Sequence, residues 1–180
     1  MMKSSIITAS DCNCSLTEAY LYFIYIVVED IGYLYIGETT ENRGAMGRFA
    51  YHLQYDNKKN KGYSEGATFL KRLIEDDKAY FNDTNDIKDI TMICYNLSCF
   101  GDFTGNLYKS NREAIEFLVQ SEMRERFVDK TLRIPYSIIS NVENNSYTNL
   151  DDYKQWAKEI CDDVMRILPF AEYGDEASTL

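Results

Sequence analysis

Arg48 and His52 stand four residues apart, and His52 is the only histidine in the chain. On a helix that spacing places both side chains on one face. A planar guanidinium suited to phosphate or carboxylate would then sit beside an imidazole. Upstream, Tyr25 and Tyr35 lie in two short aromatic and β-branched stretches that read as neighbouring strands. Inward-facing side chains at corresponding positions of paired strands share one pocket, so two phenols can meet there. With fifteen tyrosines in the chain, any single one is by default a packing residue. The ordered set of two tyrosines, an arginine and a histidine is harder to explain by packing. Gly37, directly after Tyr35 and Ile36, is expected to let the chain turn sharply from strand to helix.

A carboxylate completes the chemistry. Asn111 is a plausible N-cap for a helix running through Phe127, and that helix carries Glu113, Glu116, Glu122 and Glu125. Glu116 lines up with Val119, Met123 and Phe127 at helical spacing. A carboxylate in an apolar column needs a partner or a cation, because a buried unpaired charge is costly. Residues 43–72 hold seven Lys or Arg against two acids, in a chain whose net charge is −10. Lys58, Lys59, Lys61, Lys71 and Arg72 are therefore the expected contacts to a phosphate backbone, which position nucleic acid without reading bases. Screening confines charge effects to about 8–10 Å at physiological salt, so a local basic patch works within an acidic whole.

The elements that must position these groups follow from pattern. Tyr20 to Val28 reads as a central strand, residues 29–32 as a turn, and Tyr33 to Ile36 as its hairpin partner. Gly44 and Gly47 punctuate the following loop, and a short helix is expected from near Gly47 to about Tyr55. Ala67, Leu70, Leu73 and Ile74 recur at helical spacing, and Ile90, Met92 and Cys94 alternate as in a third strand. Leu150, Tyr153, Trp156, Ala157, Ile160, Cys161, Val164, Met165 and Leu168 form one apolar stripe ending before Pro169, the signature of a packing helix. The expected fold is α+β: a small, mainly antiparallel three-stranded sheet flanked by helices, with an extra C-terminal amphipathic helix. Its parts would be a lead-in at 1–17, a domain at 18–141, the helical segment 142–170 and a disordered tail at 171–180.

Composition narrows the class. The longest apolar run, Ala19 to Val28, is too short to span a bilayer, and the N-terminus has no secretory h-region. The five cysteines are scattered, with no second pair to join Cys12 and Cys14 at zinc spacing. Free thiols in a reducing cytoplasm, and no membrane, are the expectation.

Taken in order, Ile24-Tyr25, Tyr35-Ile36-Gly37, Arg48-x-x-x-His52 and Glu116-x-x-Val119 resemble the GIY-YIG nuclease family. Phe23 stands where the family's first motif has glycine, and the loop from Gly37 to Arg48 is longer than in short members. The resemblance implies a divalent-metal-dependent endonuclease hydrolysing phosphodiester bonds in DNA, or in RNA, with Mg²⁺ or Mn²⁺ held by Glu116. It implies that Arg48 stabilises charge on the phosphoryl oxygens. A tyrosinate, Tyr25 by preference, would take the proton of the attacking water, with neutral His52 accepting the phenolic proton and Tyr35 orienting water or phosphate. The family's asparagine near the end of the domain corresponds to Asn141, unless Ser137 has replaced it. The alternative is a catalytically inactive protein of the same fold that binds DNA or a protein. No separate recognition domain is visible. Dimerisation, or a partner protein bound through the acidic segment 142–180, would then help to set specificity.

Overall fold

The computed structural model describes residues 19–28, 31–40, 44–54, 68–73, 90–97, 103, 108–129, 136–140 and 151–168. The expected lead-in and tail, Asn141, Lys58, Lys59 and Lys61 lie outside these residues.

Strand β1 (Tyr20–Val28) pairs antiparallel with β2 (Ile31–Thr39), from Tyr20 opposite Thr39 to Val28 opposite Ile31. On its other side β1 pairs antiparallel with β3 (Thr91–Asn96). A short strand, β4 (Tyr136–Ile138), adds to β2 in parallel, which gives the order β3-β1-β2-β4. The sheet is thus four-stranded and mixed, where three strands, mainly antiparallel, were expected. The α+β class stands. Three residues are too few for strand periodicity to register, and β4 follows Pro135, which removes a donor at the point of entry.

Helix α1 covers Gly44–His52, α2 Thr68–Lys71, α3 Lys109–Asp129 and α4 Asp151–Ile167. Helix α1 starts three residues earlier than expected, with Gly44 in left-handed backbone (φ 64°) that other residues adopt at a cost. Helix α3 begins at Lys109, so Asn111 lies within its first turn and is not the cap.

Residues of β1 and β2 divide between two cores because side chains alternate across a strand. Leu21, Phe23, Leu34 and Ile36 pack with Ile115, Val119 and Met123 of α3 and with Ile160, Val164 and Met165 of α4. On the opposite face Tyr20, Tyr22, Ile24, Tyr33 and Tyr35 pack with Ala45 and Phe49 of α1 and with Phe69 and Leu70 of α2. The apolar stripe of α4 is buried as its pattern requires. Polar ties hold it to the rest: Arg126 of α3 pairs with Asp162 at 2.6 Å, and the Tyr95 hydroxyl of β3 donates to Asp163. Among the described residues no helix is long and apolar enough to cross a membrane, and Cys161 is a buried thiol.

Candidate functional site

The α1–α2 face of the sheet gathers Tyr22, Tyr35, Arg48 and His52. The Tyr22 and Tyr35 rings are stacked, with centroids 6.3 Å apart. His52 lies against both, 5.5 Å from Tyr22 and 4.9 Å from Tyr35, and Phe69 meets Tyr35 edge-on at 6.2 Å. Tyr35, Arg48 and His52 are therefore brought together as expected.

Tyr25 is not among them. It stands three residues past Tyr22 in β1, so the pleat turns it to the other face, where it packs half-buried against the α3–α4 core. Tyr22 takes its place in the cluster. The signal was present, since Tyr20 and Tyr22 share a face, but β1 is covered on both sides and its sequence shows no polar alternation to tell the faces apart.

His52 is fully buried, and burial, followed by the nearby Arg48 charge, pulls its pKa down to about 3. The ring is therefore neutral at ordinary pH, and its hydrogen bonds assign the tautomer. The Phe69 backbone N–H donates to Nδ1 at 3.2 Å, which makes Nδ1 the acceptor and leaves the proton on Nε2. Nε2–H then donates to the Tyr22 hydroxyl oxygen at 2.8 Å. Arg48 Nε–H approaches the same oxygen at 3.4 Å. This polarity runs against the expectation that His52 accepts the phenolic proton, because its one free lone pair is already used by the backbone.

Burial raises the Tyr22 pKa well above its usual value, with Tyr35 adding to the shift and Arg48 opposing it. Tyr35 is raised too, by burial and then by the Glu116 charge, while Arg72, Arg48 and a hydrogen bond from Tyr22 favour its anion. With two donors already facing its oxygen, Tyr22 turns its own proton outward to Tyr35.

Gly37 serves a purpose other than the expected turn. It lies inside β2, and a Cβ there would come within 2.3 Å of the Tyr22 hydroxyl oxygen. The glycine makes room for the phenol.

Glu116 approaches from α3, and its charge reaches both phenols. One carboxylate oxygen accepts from Gln120 Nε2 at 3.1 Å. Burial, then the charges of Glu38 and Glu113, push its pKa up to about 8 against the opposing effects of Gln120 and Arg72. Glu38 follows Gly37 directly and is paired with buried Arg112 at 2.7 Å; sequence reasoning missed both, though Glu38 shares the strand face of Leu34 and Ile36. Among the described residues no three His, Cys, Asp or Glu side chains converge as a metal cage. Glu116 offers one carboxylate, and Mg²⁺ or Mn²⁺ bind through one or two carboxylates plus water and phosphate oxygens.

Of the basic residues expected to contact phosphate, Lys71 is exposed on α2. Arg72 instead donates to the Ile139 carbonyl at 2.8 Å and lends its charge to Tyr35 and Glu116. Ser137 sits in β4 opposite Tyr33. The arrangement offers a guanidinium for an anion, a carboxylate for a cation and a polarised pair of phenols for proton transfer. The chain matches no protein-family model, no curated protein and no solved structure.

Proposed function

We propose that this protein is a divalent-metal-dependent phosphodiesterase of the GIY-YIG type that cleaves nucleic acid. One observation carries the proposal: Tyr22, Tyr35, Arg48 and His52 cluster on one face of the sheet, and both phenols feel the charge of Glu116. The antiparallel unit β3-β1-β2 supports it as the three-stranded core that the resemblance requires, with β4 as an addition.

Arg48 binds the non-bridging oxygens of the scissile phosphate and stabilises the charge that develops on them. Tyr35 takes the proton of the attacking water as the water oxygen joins phosphorus and one P–O ester bond breaks. An ordinary tyrosine costs about 4 kcal/mol to ionise at pH 7, so the site must lower that cost. Burial and the Glu116 charge raise it further; against them His52 fixes Tyr22 as a donor, and Tyr22, Arg48 and Arg72 favour the Tyr35 anion. Glu116 would hold the divalent cation, which would neutralise charge at the phosphate and offset the carboxylate charge that opposes Tyr35 ionisation.

Incubation with mixed DNA and RNA substrates and Mg²⁺ or Mn²⁺ tests the proposal, comparing wild type with Glu116→Ala. Cleavage by wild type and its loss in the variant are expected. Binding without cleavage, unchanged in the variant, would mark a catalytically inactive binding protein instead.

A further inference from the structure

Gln120 is completely buried on α3, beside Val119 and Met123, where an aliphatic side chain would serve packing better. A buried amide is costly unless both of its ends are bonded. Here both are. Its Nε2 donates to Glu116 at 3.1 Å, and its Oε1 accepts from Arg124 at 3.5 Å. Arg124 in turn donates to the Ser140 carbonyl at 2.8 Å, and the Ser140 hydroxyl accepts the Ile36 backbone N–H of β2 at 3.1 Å. Ser140 is itself buried.

We propose that Gln120 is a positioning residue: through Arg124 and Ser140 it sets the Glu116 carboxylate against the strand that carries Tyr35. The inference rests on Glu116 as the carboxylate that holds the cation. Arg124, a pure donor, fixes which end of the amide is which. The oxygen must face Arg124, so the NH₂ must face Glu116. One carboxylate oxygen is thereby held and the carboxylate plane set, while the other oxygen remains for a ligand. The chain of contacts ends on the backbone next to Tyr35, so a shift of α3 along β2 is resisted at the place where carboxylate and phenol must stay in register.

Mn²⁺ affinity, measured by calorimetry on the full chain, tests this. Gln120→Met keeps the volume and removes the donor. It is expected to weaken Mn²⁺ binding about tenfold or more, as loss of an outer-shell partner does. Thermal unfolding confirms that the variant folds. Adding Arg124→Met to Gln120→Met should weaken binding no further, because Arg124 acts through the amide. Mn²⁺ affinity within twofold of wild type in a folded Gln120→Met protein would overturn the proposal. A second readout needs no metal: the Gln120 side-chain amide protons should exchange slowly in wild type and faster in Arg124→Met. Fast exchange in wild type would also overturn it. If wild type neither binds Mn²⁺ nor cleaves, the nuclease reading fails, and amide exchange alone decides the positioning role.

Discussion

The polarity of one hydrogen bond decides what Tyr22 does. Because the Phe69 N–H occupies His52 Nδ1, the imidazole gives a proton to the phenol oxygen and does not take one. Everything in this arrangement depends on Tyr22 standing where it does, and Gly37 is the residue that admits it. Gly37→Ala should displace the phenol, break the bond to His52 and cost about 1–3 kcal/mol, as overpacking does. Urea unfolding measures that cost, and cleavage by the folded fraction should fall at least about tenfold. Arg48, His52, Tyr35 and Glu116 were legible as a set from residue type and spacing. Tyr25 follows Ile24 in the order that the resemblance implies. The pleat, not the motif, determines which tyrosine faces the pocket, and a strand apolar on both faces conceals its own alternation.

Elements were readable in proportion to their length and the contrast between their faces. Strands β1 and β3 and helix α4 emerged nearly to their ends, α4 because only one of its faces meets the core. Strand β4 gave no pattern in three residues, and its parallel pairing depends on contacts far away in sequence. The start of α3 was misjudged because a good capping residue, Asn111, lies within the first turn. Helix α4 supports the sheet face opposite the phenols, so its packing should matter for stability and not for chemistry. Ile160→Ala truncates a fully buried side chain and should cost about 2–5 kcal/mol, as such deletions do. Denaturant unfolding should register that loss while Mn²⁺ affinity stays at the wild-type value.

At the scale of the whole molecule, two buried groups pull stability in opposite directions with pH. His52 has a folded pKa near 3 against 6.5 when free, so the unfolded chain binds more protons between those values and stability rises with pH across them. Glu116 has a folded pKa near 8 against 4.5, so the folded chain binds more protons there and stability falls from pH 4.5 to 8. Glu116→Gln should therefore melt higher than the metal-free wild type at pH 8–9, with the difference shrinking towards pH 4.5. Mg²⁺ should raise the wild-type melting temperature at pH 8 and leave the variant unmoved, because a ligand of the folded state stabilises it. Melting curves across this range check both signs. The net charge of −10 gave little direction by itself. Its segregation from residues 43–72 was visible in sequence, yet the fold draws Arg72 into the pocket, so part of the basic stretch serves the site directly.

The central claim is that Tyr22 and Tyr35, held by His52 and Arg48 and served by a cation at Glu116, cleave phosphodiester bonds. Its most direct test is the single-turnover cleavage rate of Tyr22→Phe beside Tyr25→Phe, with saturating Mg²⁺. A loss of about 10²-fold or more is expected for Tyr22→Phe, the scale of a lost hydrogen-bond donor to a developing anion, and a rate near wild type for Tyr25→Phe. Normal cleavage by Tyr22→Phe together with loss in Tyr25→Phe would contradict it.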